Sequence, residues 1–213
     1  MKRVRVKICG VRTLEEAEAA VAAGADALGF NFWPKSPRYV SPDEAARIVA
    51  ALPAFVTSIG VFVNEELDRV REIVSRVGLD AVQLHGEETP RYCLGVNNTR
   101  VIKAFRVGED FDLDAILDYP VSAILLDAKV EGQYGGTGRR ISWELAKEAS
   151  RRATVILAGG ITIDNVADAI NSVRPFAVDA CSGVESEPGR KDLIKLREFM
   201  KEVARANGLI IDA

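Results

Sequence analysis

The chain has 213 residues, 28 basic and 31 acidic side chains for a formal net charge of −3, and 48% hydrophobic residues. That is enough for one full hydrophobic core, it excludes a disordered chain, and the near-even charge gives no basic face for nucleic acid or an anionic membrane. One histidine and three scattered cysteines (Cys9, Cys93, Cys181) supply neither a Cys/His zinc site nor a disulfide scaffold, so no metal is expected.

The first residues, Met-Lys-Arg-Val-Arg-Val-Lys, alternate valine with charge and contain no apolar signal-peptide stretch. No window approaches the roughly 18 apolar residues of a bilayer-spanning helix, which points to a protein of the reducing cytoplasm. The alternation reads as a strand over Val4–Cys9, followed by a helix over Leu14–Ala23. A second strand, Ala27–Phe30, precedes a helix opened by Ser41-Pro42-Asp43-Glu44, a capping box with proline in the first helical turn. Strand Thr57–Phe62 leads to a helix opened by Asn64-Glu65-Glu66 and running to Val77, with Gly78 as its left-handed stop. Strand Ala81–Leu84 precedes a short, poorly formed helix around Thr89–Leu94, and strand Val101–Phe105 precedes a helix over Leu113–Asp118. The last three pairs are strand Ala123–Leu126 with helix Trp143–Arg151, strand Val155–Ala158 with helix Asn165–Ile170, and strand Phe176–Asp179 with helix Leu193–Ala206.

Most of these strands are nearly all apolar, as parallel strands covered on both faces must be. Eight strand–helix units at a repeat of about 25 residues, with no linker between them, predict an α/β fold: a single-domain (β/α)8 TIM barrel over residues 1–213, its parallel sheet closed inside outer helices. The alternative is an open doubly wound sheet. Its dinucleotide-binding glycine signature is absent after the first strand, where Cys9-Gly10-Val11-Arg12 stands instead.

Barrel enzymes carry their chemistry at the C-terminal ends of the strands. Read in order, those ends hold Cys9, Asn31, Asn64, Gln83 with His85, Arg106, Asp127, Gly159-Gly160, and Asp179 through Gly183. Asp127 leaves the most apolar strand, where desolvation raises a carboxyl pKa and makes a proton donor, though a helix cap or a paired aspartate fits the same place. Lys7 lies one pleat from Cys9, at roughly 7 Å, where its charge favours a thiolate; a small buried filler is the plainer role for an isolated cysteine. Cys93, on a helix, keeps that plainer role. Ala158-Gly159-Gly160-Ile161 and Asp179-Ala180-Cys181-Ser182-Gly183-Val184-Glu185 are small-residue loops after strands seven and eight. Their backbone N–H groups and the start of a short helix after strand eight suit a phosphate, although glycines also simply make tight turns. In Trp33-Pro34-Lys35-Ser36-Pro37-Arg38, Arg38 can clamp a carboxylate with two bonds or stand solvated. Gly132-Gln133-Tyr134-Gly135-Gly136-Thr137-Gly138 reads as a lid or a plain flexible connection.

Lys7-Ile8-Cys9-Gly10, Ser36-Pro37-Arg38-Tyr39-Val40, Val82-Gln83-Leu84-His85-Gly86, Leu126-Asp127, Gly135-Gly136-Thr137-Gly138, Leu157-Ala158-Gly159-Gly160 and Ser182-Gly183-Val184-Glu185 occur in this order. Together they resemble the phosphoribosylanthranilate isomerase family of tryptophan biosynthesis, from Lys7 to Lys191-Asp192. The resemblance implies a cofactor-free barrel that performs the Amadori rearrangement of N-(5-phosphoribosyl)anthranilate to 1-(2-carboxyphenylamino)-1-deoxyribulose 5-phosphate. It implies Cys9 as general base and Asp127 as general acid. Arg38 would hold the anthranilate carboxylate, with Gln83 and Asp179 also binding substrate. Gly159, Gly160, Cys181, Ser182 and Gly183 would hold the phosphate. His85 receives no chemical role, and the protein is expected to be a monomer or a homodimer.

Cys181 departs from the family, which more often has a small hydroxyl residue there. If strands one and eight are neighbours in a closed barrel, Cys9 and Cys181 come close enough for oxidation to join them. The rival readings are three. A histidine-pathway isomerase doing the same rearrangement would carry an aspartate where Cys9 stands. A metal-dependent pentose-phosphate epimerase would need more histidines. A non-catalytic phosphate-binding barrel would bind the substrate without converting it.

Overall fold

Short runs rich in valine, isoleucine and leucine are buried on both faces, as interior parallel strands require. In the computed structural model, which describes residues 3–96, 98–108, 111–128 and 142–209, eight such strands close into a parallel barrel in the order β1-β2-β3-β4-β5-β6-β7-β8. They are β1 (Arg5–Cys9), β2 (Ala27–Asn31), β3 (Thr57–Phe62), β4 (Ala81–Leu84), β5 (Arg100–Val107), β6 (Ala123–Ala128), β7 (Val155–Leu157) and β8 (Ala177–Ala180). The ring closes through β1 against β8, with Arg5 opposite Ala177 and Ile8 opposite Ala180. The closed barrel expected from the repeat is therefore present, and the open sheet is not.

The helices between strands are α1 (Leu14–Ala22), α2 (Pro42–Ala50), α3 (Leu67–Val77), α4 (Pro90–Gly95), α5 (Trp143–Arg152), α6 (Val166–Val173) and α7 (Leu193–Ala206). Ser41 caps α2 by accepting from Glu44 N, and Gly78 ends α3 at φ 76°, both as the sequence indicated. Three segments differ from expectation. The third helix starts at Leu67 rather than Asn64, because Asn64 adopts φ 50° and its side chain accepts from Glu87 N at 2.6 Å. The segment after β5 is a 3-10 turn, Asp114–Asp118, with Phe105 packed edge-on to Phe111 and Tyr119 on either side of it. After β8 comes only a single 3-10 turn, Ser182–Val184, and then a small antiparallel hairpin of β9 (Glu185–Glu187) and β10 (Arg190–Lys191).

Alternation along each strand divides the apolar residues into two cores. Val6, Ile8, Leu28, Phe30, Leu84, Leu126 and Val178 face outward to the helices, where they meet Ala17, Ile48, Val70, Leu196 and Phe199. Ile59, Ala81, Ile102, Ala104, Ala123, Leu125, Ile156, Ala158 and Ala177 fill the barrel interior. The chain end returns to its beginning: Asn207, just past α7, accepts from Val4 N at 2.8 Å and donates to Val4 O at 3.0 Å. Among the described residues no helix is long and apolar enough to cross a membrane.

Candidate active site

On β1 the inward positions are Lys7 and Cys9, and on β8 Asp179 faces the same interior. Lys7 is 2% exposed, and its Nζ donates to Asp179 Oδ2 at 2.9 Å. A buried ammonium is retained only with such a partner. The space for these side chains comes from β2, where Gly29 sits opposite Cys9. A Cβ on Gly29 would stand 2.9 Å from Cys9 Sγ and 3.1 Å from Lys7 Nζ.

The register that sets Ile8 against Ala180 carries Cys9 and Cys181 side by side, and their thiols share a hydrogen bond. All three cysteines are free thiols. The bond from Cys181 holds the Cys9 thiol well below its ordinary range; burial opposes this and the Lys7 charge reinforces it. Cys181 moves the opposite way, raised by the same bond and by burial. We take Cys9 as the thiolate of the pair because Lys7 also hydrogen-bonds to it. Lys7 itself is raised: burial works against its charge, but Asp179 and Cys9 outweigh burial. Burial pushes the Asp179 carboxyl up to about 7 despite Lys7, with Cys9 and Asp127 adding to the rise.

Asp127 lies near the C-terminal end of β6, three strands from β1 by way of β8 and β7, and is 3% exposed. Its Oδ2 lies 3.3 Å from His85 Nε2, a contact not aligned as a hydrogen bond, and Oδ1 and Nε2 have no other partner. His85 Nδ1 meets Gln83 Nε2 at 2.8 Å. With the Gln83 amide donating, Nδ1 accepts and the ring proton sits on Nε2, toward Asp127. The turn carrying His85 is fixed from behind. Lys103 donates to Leu84 O, Gly86 O and Glu88 Oε2 at 3.2, 2.8 and 3.0 Å, while Glu88 accepts from Gly86 N and Asn64 N.

The loops close the mouth. Gly159 and Gly160 both take positive φ, 77° and 72°, a stretch of backbone that side chains disfavour. Asn165 holds that turn, donating to Gly160 O at 2.8 Å and accepting from Thr162 N at 2.9 Å. Arg38 reaches in from the loop after β2, where Ser36 Oγ accepts its backbone N–H at 3.1 Å.

One pocket at the C-terminal ends of the strands is lined by Cys9, Arg38, Gln83, Asp127, Gly159, Gly160, Asp179, Cys181 and Ser182, together with His85, Asn31, Trp33 and Ser36. Gly183 does not line it. That residue packs behind the wall, where a Cβ would come within 2.1 Å of Ile161 O. The helix expected after β8 is a single 3-10 turn, too short for a helix dipole, so an anion there would rely on backbone N–H groups. The lid segment Gly132–Gly138 lies outside the described residues. His85, left without a role by the sequence, stands against Asp127; the signal was its spacing of two from Gln83, which puts both on the inward face. Among the described residues no three His, Cys, Asp or Glu side chains are placed to hold a metal ion.

A closed parallel barrel with a buried cysteine and a buried aspartate facing one pocket, between an arginine loop and glycine loops, defines an acid/base barrel enzyme for a small anionic substrate. The family model described as N-(5'phosphoribosyl)anthranilate (PRA) isomerase matches residues 6–202. The N-(5'-phosphoribosyl)anthranilate isomerase of Trichlorobacter lovleyi is 53% identical over 204 residues, covering 95% of this chain and 99% of its own. The crystal structure of phosphoribosyl anthranilate isomerase from Thermotoga maritima superimposes with a TM-score of 0.87 at 44% identity, covering 95% of this chain and 99% of that one. A phosphoribosyl anthranilate isomerase in complex with reduced 1-(o-carboxyphenylamino)-1-deoxyribulose 5-phosphate superimposes at 0.84 with 43% identity, over 95% and 99% of the two chains. The chain belongs to the N-(5'-phosphoribosyl)anthranilate isomerase family, and its activity is the isomerisation that the family contributes to tryptophan biosynthesis.

Proposed function

We propose that Cys9 and Asp127 carry the proton transfers of this Amadori rearrangement and that the loops grip the two ends of the substrate. The observation that carries the reading is the opposed placement of Cys9 on β1 and Asp127 on β6 across one pocket. Asp127 as the acid protonates the furanose ring oxygen. The anilino nitrogen lone pair then forms the C1′=N bond as the C1′–O bond breaks, leaving an open-chain iminium. That cation acidifies the C2′ proton, which the Cys9 thiolate removes, and the C2′–H electron pair forms the enolamine. Tautomerisation moves one proton from the C2′ hydroxyl to C1′ and gives the ketone, while Cys9 gives up its proton and Asp127 regains one through solvent. No cofactor enters these steps.

Arg38 is the clamp for the anthranilate carboxylate, by charge and by its forked donors. Backbone groups of Gly159, Gly160, Cys181 and Ser182 hold the phosphate, with Gly183 shaping that loop from behind. Gln83 and Asp179 lie between the two grips, beside the sugar. Holding both ends places the reacting carbons between acid and base, which can supply several kcal/mol of the catalytic effect. A bidentate guanidinium–carboxylate contact and glycine-loop backbone suit a substrate with one carboxylate and one phosphate.

The test is loss of substrate fluorescence on mixing N-(5-phosphoribosyl)anthranilate with purified protein, repeated with Cys9→Ala and Asp127→Asn. Turnover by wild type with both variants reduced to trace rates is the expected result. Binding without product in wild type would replace this reading with a non-catalytic barrel.

A further inference from the structure

Arg38 reaches the pocket already held along one edge. Its Nε and Nη2 donate to Glu185 Oε1 and Oε2 at 2.9 and 2.8 Å, a two-bond grip on one side of the guanidinium. Glu185, at the start of β9, is 6% exposed, and it also pairs with Lys191 Nζ at 3.0 Å. Lys191 in turn donates to Cys181 O at 3.2 Å. The Arg38 stem has its own seat: Gly10 takes φ 78°, and a Cβ there would stand 2.7 Å from Arg38 Cδ. The hairpin that carries Glu185 abuts the loop that carries Arg38, since a Cβ on Gly189 would meet Pro37 O at 2.4 Å.

A guanidinium has five N–H donors, and this grip uses Nε–H and one Nη2–H. The Nη1/Nη2 edge keeps two parallel donors, which are without a partner among the described residues and have the geometry that takes a second carboxylate with two bonds. Unheld, a long arginine side chain would lose rotamer freedom on binding, and that cost would weaken the substrate.

We propose that Glu185 is a positioning residue for substrate recognition: it locks the Arg38 guanidinium so that the free edge meets the substrate carboxylate. The proposal rests on the reading of Arg38 as the carboxylate clamp. Glu185 touches no reacting atom and acts on the substrate carboxylate through Arg38, so its removal should affect binding more than turnover.

Steady-state kinetics on wild type, Arg38→Met, Glu185→Gln and the double variant test this. Arg38→Met should raise KM by tenfold or more, and Glu185→Gln should raise it about tenfold with kcat within threefold. The double variant should have a KM no higher than Arg38→Met, because Glu185 has nothing left to orient. A Glu185→Gln KM within twofold of wild type overturns the proposal, as does a double variant whose KM is the product of the two single effects. If Arg38→Met leaves KM unchanged, the clamp itself fails, and the positioning role falls with it. Glu185→Gln leaves Lys191 buried beside a neutral amide, so Glu185→Gln/Lys191→Met serves as the second variant and is read by the same KM criteria. Failure of both to fold would make Glu185 a structural staple and overturn the proposal.

Discussion

The two mouths of the barrel are made by the same eight strands and the same inward-facing row, yet they hold different chemistry. At the C-terminal mouth that row ends in Cys9, Gln83, Asp127 and Asp179 around a pocket of about 60 Å³. At the N-terminal mouth Ala27, Ala81, Ala123 and Ala177 leave a larger hollow, about 460 Å³, beside Ile59, Ile102 and Ile156. Size does not mark the site. What marks it is a carboxyl and a thiol buried on opposite walls with glycine-bearing loops above them, and that occurs at one mouth only among the described residues. Barrels of this kind separate their tasks along the strand axis: the N-terminal layers stabilise, and the C-terminal strand ends face the pocket.

Substitutions at the two mouths should therefore separate activity from stability. The largest effect is expected for Cys9→Ala and Asp127→Asn, each lowering kcat by about 10²- to 10⁴-fold with KM changed only a few-fold. A Cys9→Ala enzyme turning over within tenfold of wild type would remove Cys9 from the base role. Retained activity in Asp127→Asn would pass the acid role to another group, with His85 first in line at 3.3 Å.

Next comes the opposite mouth. Ile102→Ala should cost about 2–4 kcal/mol in denaturant unfolding while kcat stays near that of wild type. A large fall in kcat with unchanged stability would break the division between mouths.

The smallest effect concerns Cys181. Its thiol donates to Cys9 and lowers the Cys9 pKa, so the thiolate persists to lower pH than an isolated cysteine would allow. Lys7 on β1, Asp179 on β8, Arg38 from the β2 loop and Lys191 on β10 also bear on this thiol pair and stay in place. Removing the donor in Cys181→Ala should move the midpoint of Cys9 alkylation by iodoacetamide to higher pH and reduce the rate at any pH below it. Cys181→Ser, whose hydroxyl still donates, should stay nearer wild type. An unmoved midpoint in Cys181→Ala would show that Lys7 alone sets the thiolate.

Much of this fold is local information. Apolar runs long enough for one strand, separated by capped helical segments, state the repeat and hence the barrel, and Ser41 and Gly78 place helix ends to the residue. Once the barrel is granted, strand-end positions such as Cys9, Asp127 and Asp179 fall at one mouth, because every parallel strand points the same way. Family resemblance added roles that spacing could not supply. Asn64 was misread because its side chain bonds to the β4 turn rather than opening a helix, a choice made by a residue 23 positions away.

What remained hidden were the pairings. Lys7 meets Asp179 across 172 residues, and Arg38 meets Glu185 across 147. Nothing in either segment announces the other, since a charged residue beside an apolar run serves equally as a solvated end. The sequence by itself determined the strands, the repeat and the residues at the strand ends. Only the tertiary structure decided which of them touch: ring closure brought β8 against β1, joining Cys9 to Cys181 and Lys7 to Asp179, and the β9–β10 hairpin carried Glu185 to Arg38. The reason is physical: alternation and capping are set within a few residues, whereas a buried charge is tolerated only where the completed fold delivers its partner.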